Sequence, residues 1–215
     1  MSPFGRLDGI AAPLPQDNVD TDAIIPSRES QSVSRSGYGE RLFANWRYQP
    51  GTRTEQPEFV LNREPFRHAQ ILVAGHNFGC GSSREAAVWS LAQFGIRCVI
   101  ASSFGAIFRG NCVRNGVLPV TLSPEGLAAL HDAVRRRPGS PVRVDLQACR
   151  VIDAEGGEHS FEIDALEREM LLAGLDEIGL TLRQRAVIAA FQQRDRESRP
   201  WIWNRRDAKR RMETS

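Results

Sequence analysis

Residues 71–85 read Ile71-Leu72-Val73-Ala74-Gly75-His76-Asn77-Phe78-Gly79-Cys80-Gly81-Ser82-Ser83-Arg84-Glu85. Four aliphatic residues run without a polar interruption, and three glycines then turn the chain. A helical pattern with Ala87, Leu91 and Phe94 on one face follows. A short run apolar on both sides of the strand must be covered on both faces, as in a parallel sheet. Cys98–Ala101 and Val117–Val120 repeat the motif, so the pattern predicts a β-α-β-α-β core. Loops at the carboxyl ends of parallel strands are where open α/β sheets bind ligands, which directs attention to residues 75–85.

Upstream, the chain reads as a short strand followed by Pro13 and Pro15, then the run Asn18-Val19-Asp20-Thr21-Asp22-Ala23-Ile24-Ile25-Pro26. Residues 27–57 are rich in Ser, Arg, Gly and Gln, and so long a connection is usually functional or mobile. Downstream, Ser123-Pro124-Glu125 supplies an N-cap, a proline at the first helical position and an acid in the first turn. That helix turns Leu127, Leu130 and Val134 inward and ends near Arg137-Pro138-Gly139. Val142, Val144 and Leu146 alternate with charged residues, and Gly156-Gly157 turns into a second alternating strand with Phe161 and Ile163. Helices are expected at about 165–173 and 181–196. The tail from Arg199 to Ser215 holds six basic and two acidic residues and reads as a solvated terminus. The predicted class is α/β: a parallel β-α-β core sheet with an added antiparallel hairpin and C-terminal helices. The expected domain runs over 1–198, with a basic tail at 199–215.

With 215 residues, 41% apolar and 25% charged, the chain has ample material for a globular core. A net charge of +2 argues against nucleic acid or a membrane surface as the main partner. No run approaches the ~20 apolar residues that span a bilayer, and Met1 to Gly9 lacks the apolar core of a signal peptide. The expected location is the cytoplasm. Cys80, Cys98, Cys112 and Cys149 are too scattered for a disulfide framework or for Fe–S ligation. His68, His76, His131 and His159 are equally dispersed, so no metal is expected on this chain.

In the loop, glycines let backbone approach a ligand, and free N–H groups at a helix N-terminus attract anions. Ser82 and Ser83 sit where negative charge would be stabilised, and Arg84 can grip a carboxylate bidentately. The segment is no dinucleotide fingerprint, P-loop or nucleophile elbow, since Arg84 stands where a glycine is needed and no Gly-Lys-Ser/Thr follows. A plain glycine-rich turn with Ser82 as N-cap remains the structural alternative. Asp20-Thr21-Asp22 is open in the same way, as an Asx-type turn or as a polar wall at the mouth of a site.

Five segments in order extend the pattern: Asn18 to Pro26, Asn77 to Glu85, Phe104-Gly105-x-Ile107-Phe108, Asn115 to Val120, and Gly174-Leu175-Asp176-x-Ile178-Gly179-Leu180-Thr181-Leu182. Over residues 5 to 195 this resembles the small subunits of the isopropylmalate isomerase branch of the aconitase superfamily. The resemblance implies a swivelling domain that closes over a large subunit, the latter holding a [4Fe–4S] cluster. The substrate would be a small hydroxy-dicarboxylate, dehydrated and rehydrated. It further implies Ser82 as the proton-abstracting base in alkoxide form, with Ser83 and Arg84 holding a substrate carboxylate. Thr21, Asp22 and Arg28 are added as candidate substrate contacts.

Two departures stand out. Ala86 replaces the family's histidine after Glu85. The segment after Pro26 is Ser27-Arg28-Glu29-Ser30-Gln31, polar where the family carries an apolar pair. Interconversion of 2- and 3-isopropylmalate in leucine biosynthesis is the leading expectation. The alternatives are a paralogous hydro-lyase acting on a methylmalate, citraconate or homoaconitate type of diacid, and a non-catalytic binding module.

Overall fold

The computed structural model describes residues 1–30, 36–82 and 84–203. Contacts divide the chain into two units, Met1–Leu175 and Asp176–Ser215. In the first unit the strands are β1 (Arg6–Leu14), β2 (Ile71–Ala74), β3 (Cys98–Ala101), β4 (Leu118–Thr121), β5 (Pro141–Asp145), β6 (Arg150–Ile152) and β7 (Glu158–Ser160). They form one seven-stranded sheet in the order β4-β3-β2-β1-β5-β6-β7. From β1 to β4 neighbours are parallel, and from β1 through β7 they are antiparallel.

β1 is the seam. Arg6–Ile10 pairs with β5 and Ala11–Leu14 pairs with β2, so the strand changes partner midway. At Pro13 only one side of the strand has a ladder to satisfy, which is why the missing N–H does not end the strand there. Pro119 is tolerated for a similar reason, since β4 lies at the sheet edge.

Two one-turn helices follow β1, α1 (Thr21–Ile24) and α2 (Ala44–Arg47). Helices α3 (Glu85–Phe94) and α4 (Ala106–Arg114) connect the parallel strands, α5 (Pro124–Arg136) packs on β1 and β2, and α6 (Ala165–Ala173) completes the unit. Every residue of β2 and β3 is buried, as unbroken aliphatic runs require. Ser123 caps α5 by accepting from the Gly126 N–H at 3.1 Å, and Leu127, Leu130 and Val134 are buried beneath it.

The long segment after β1 is pinned by a buried cation. Arg47, 6% exposed, donates through Nε to Asn62 Oδ1 at 3.1 Å and through Nη1 to the Gly39 carbonyl at 3.1 Å. Its guanidinium also lies over the Phe94 ring, 4.9 Å from the centroid.

The antiparallel part differs from the expected hairpin. It has three strands, because Arg150–Ile152 forms β6 before the glycine turn, and β7 ends at Ser160, short of Phe161 and Ile163. The second unit contains α7 (Glu177–Arg183) and α8 (Arg185–Ser198) in place of one helix over 181–196. Asp176 starts α7 earlier by accepting from the Gly179 N–H at 2.7 Å.

Candidate functional site

The loop from β2 to α3 is built by left-handed residues. Asn77, Gly79 and Gly81 have φ of +55°, +73° and +81°. At Gly79 a side chain is excluded twice over, because a Cβ there would also lie 2.2 Å from the Phe108 ring. The loop therefore lies directly on α4.

The segment after β1 runs beside this loop. The Gly79 N–H donates to the Val19 carbonyl at 2.7 Å, and the Thr21 N–H donates to the Cys80 carbonyl at 3.1 Å. Asp20 caps α1 by accepting from the Ala23 N–H at 2.7 Å, so the Asx-type geometry of this motif is present. Thr21 is 1% exposed, and its hydroxyl donates to the carbonyl of Ser82. Asp22 accepts from Arg84 Nη1 and from the Ser27 hydroxyl, the latter at 2.9 Å. The Arg84 bond, followed by Ser27, holds the Asp22 carboxyl below the usual carboxylate range. Asp22 in turn raises the Arg84 pKa, so both groups are charged.

Of the six expected site residues, Thr21, Asp22, Ser82 and Arg84 are thus brought together. Ser82 is exposed. It is not the N-cap: α3 begins at Glu85, and the cap position belongs to Arg84, in extended conformation and without a side-chain cap bond. The serine lies too far upstream for its hydroxyl to reach the second or third helical N–H. Ser83 lies outside the described residues. Arg28 is placed apart, donating to Asn45 Oδ1 at 2.5 Å and facing Glu29 at 3.6 Å. It lines a cleft of about 590 Å³ with Asn45, Tyr48 and Arg53, and neither Ser82 nor Arg84 lines that cleft. Glu29 is held by Arg53 at 2.7 Å.

Residues outside the sequence motifs complete the scaffold. Asp17 accepts from the His76 N–H at 2.6 Å, and Ser103 Oγ accepts from the Asn77 N–H at 2.8 Å. The turn-forming Asp and Ser at the ends of adjacent strands were the available signal. Beyond the loop, Asn115 donates to Glu85 and accepts from the Trp89 ring N–H, each at 3.1 Å, which braces the first turn of α3.

The chemistry on offer is an exposed hydroxyl beside a fixed guanidinium. Among the described residues no group of three His, Cys, Asp or Glu side chains gathers as a metal site. Burial pushes the Cys98 and Cys112 thiols up, away from the thiolate form a cluster needs. Cys80 and Cys149, the other two cysteines, fall short of the three or four thiolate ligands an Fe–S cluster takes, so the described residues do not fit one.

The model of the aconitase C-terminal domain matches residues 1–125. A LeuD_N model matches 128–165, and the model of the C-terminal domain of the 3-isopropylmalate dehydratase small subunit matches 177–202. The 3-isopropylmalate dehydratase small subunit of Cupriavidus necator is 53% identical over 204 residues, covering 94% of this chain and 98% of that protein. The chain belongs to the 3-isopropylmalate dehydratase small-subunit family. The Mesorhizobium japonicum small subunit is 50% identical, covering 94% of this chain and all of its own length. A crystal structure of 3-isopropylmalate dehydratase (leuD) from Methanocaldococcus jannaschii superposes with a TM-score of 0.62 at 28% identity. It covers 87% of this chain and 99% of the other. As a member of this family the chain is a subunit of a dehydratase, a hydro-lyase that works with a large subunit. The fold is the α/β type of that family. Among the described residues no helix is long and apolar enough to cross a membrane.

Proposed function

We propose that this chain supplies the base and a carboxylate grip for interconverting 2- and 3-isopropylmalate in the cytoplasm, as a step of leucine biosynthesis. One observation carries the reading. The hydrogen bond from Thr21 to the Ser82 carbonyl and the ion pair of Asp22 with Arg84 join two distant motifs at one open end of the sheet. Ser82 takes the proton beside a substrate carboxylate as general base. Arg84 holds that carboxylate, and Ser83 is assigned to the same task from its place in the motif. Asp22, being a carboxylate, repels a dicarboxylate, so its role is to hold Arg84. Thr21, being buried, holds Ser82. The names of the relatives support the substrate, and the [4Fe–4S] cluster is assigned to the large subunit.

The test is turnover of the chain assembled with its large subunit. Ser82→Ala should lower it by about 10²–10⁴-fold. Thermal stability should stay unchanged, because Ser82 is exposed and caps nothing. More than about a tenth of wild-type turnover would remove Ser82 as the base.

A second reading, a smaller or more polar diacid, draws on the charged cluster of Arg28, Glu29 and Arg53. An apolar pocket could favour an isopropyl group over hydrogen by about 2 kcal/mol, at roughly 0.8 kcal/mol per carbon. Glu29, engaged by two arginines, supplies none of that. Glu29→Phe with Ser30→Leu should raise kcat/KM for isopropylmalate relative to a methyl-substituted malate. An unchanged ratio would show that this loop does not read the substrate.

A further inference from the structure

The functional loop is anchored at nearly every residue, and one anchor comes from a different layer of the fold. The His76, Asn77, Phe78 and Gly79 N–H groups are taken by Asp17, Ser103 and Val19, and the Cys80 and Ser82 carbonyls by Thr21. Those partners all lie just past the ends of β1 and β3. The first anchor is His131, in the middle of α5. Its Nε2 lies 3.2 Å from the carbonyl of Ala74, the last residue of β2. A carbonyl can only accept, so Nε2 carries the proton.

The side chain is unusual for its place. His131 is 7% exposed on the face that carries Leu127, Leu130 and Val134, where a leucine would pack without polar cost. The ring brings a second nitrogen, Nδ1, that is buried with no partner among the described residues. Burial lowers the pKa of the ring and so keeps it neutral. A buried orphan nitrogen carries a desolvation penalty, which directs attention to what the other nitrogen does.

We propose that His131 is a positioning residue for Ser82: it fixes the Ala74 carbonyl and with it the root of the loop. The inference rests on the reading of Ser82 as base. The root has no slack, since a Cβ on Gly75 would lie 2.4 Å from both Asp17 Oδ1 and the Gln16 carbonyl oxygen. A shift at Ala74 is therefore passed along the tied loop to Ser82. Thr21 holds Ser82 at its backbone carbonyl and not at its hydroxyl, whereas Asp22 holds the Arg84 guanidinium itself, so the serine hydroxyl follows the loop while carboxylate binding is spared.

The experiment compares His131→Leu and His131→Gln, each in the full chain assembled with the large subunit, with Ser82→Ala as control. Glutamine places an amide N–H near the reach of Nε2. His131→Leu should lower kcat roughly tenfold or more, since a misplacement of about 1 Å can cost about 10²-fold. Its KM should stay within about twofold and its thermal midpoint at or above that of the wild type. His131→Gln should recover most of the turnover. Wild-type kcat in His131→Leu overturns the proposal, as does equal loss in both variants with lowered midpoints, which marks a packing role. If Ser82→Ala is inactive while His131→Leu is fully active, this inference alone fails. If Ser82→Ala keeps its turnover, the reading beneath it fails.

Discussion

Thr21 and Ser82 are 61 positions apart in sequence and share one hydrogen bond, from a buried hydroxyl to a loop carbonyl. That asymmetry makes Thr21 a sharp probe. Thr21→Val keeps the shape of the side chain and removes the donor, leaving the Ser82 carbonyl without this bond in a partly buried place. A loss of that kind costs about 1–3 kcal/mol. Turnover should fall with stability, because the freed carbonyl belongs to the residue proposed as base. Thr21→Ser keeps the hydroxyl and should behave much like wild type in urea unfolding and in assembled turnover. A loss in Thr21→Ser with Thr21→Val near wild type would show that the threonine methyl, and not its hydroxyl, matters. Arg84 and Asp22 are the complementary case: an exposed pair whose worth is orientation, since a bidentate grip on a carboxylate needs a fixed guanidinium plane.

At the scale of elements, the loop depends on lying flat against α4. Gly79→Ala would combine a positive φ, costing about 1–2 kcal/mol for a residue with a Cβ, with a clash on the Phe108 ring of the overpacking type, worth about 1–3 kcal/mol. A drop of about 2–5 kcal/mol in the urea-unfolding free energy is expected from their sum. A near-neutral change would mean the loop can lift from α4. The parallel strands and α5 were legible because burial on both faces forces unbroken aliphatic runs, and because Ser123-Pro124 is a local signal. β6 was not, since three residues carry too little pattern. The serine-to-arginine turn was misread by two positions at the N-cap, because capping is set by φ and ψ and not by residue type alone. Thr21, Asp22, Ser82 and Arg84 were legible as motifs, yet their contacts were not: Thr21 read as a substrate contact and is buried behind the loop. Asp17 and Ser103 carried only the signal of turn residues at strand ends, and His131 carried none, because each acts on the loop across 26 to 59 positions with no local periodicity. The placement of Arg28 apart from that group was illegible for the same reason, its neighbour Glu29 being held by Arg53 from 24 positions away.

The whole molecule places its buried core very unevenly. Every buried apolar residue among those described lies between Phe4 and Leu171, inside the unit Met1–Leu175. Beyond it, α7 and α8 carry no buried residue, and Ile178, Leu182, Val187 and Phe191 are all more than half exposed. Apolar burial is the main favourable term in folding, so stability of the chain should reside almost entirely in the first unit. Ending the chain after Leu175 keeps the αL cap of α6 at Gly174, and keeps the Leu175 N–H bonded to the Met170 carbonyl at 3.0 Å. The shortened chain should therefore unfold in one cooperative step, with a thermal midpoint within about 2–4 °C of the full chain. That is the shift that roughly 1 kcal/mol produces in a protein of this size. A midpoint lower by about 10 °C or more, equivalent to several kcal/mol by the same scaling, would overturn the assignment of stability to the first unit. Calorimetry on the two chains at equal concentration decides between these outcomes.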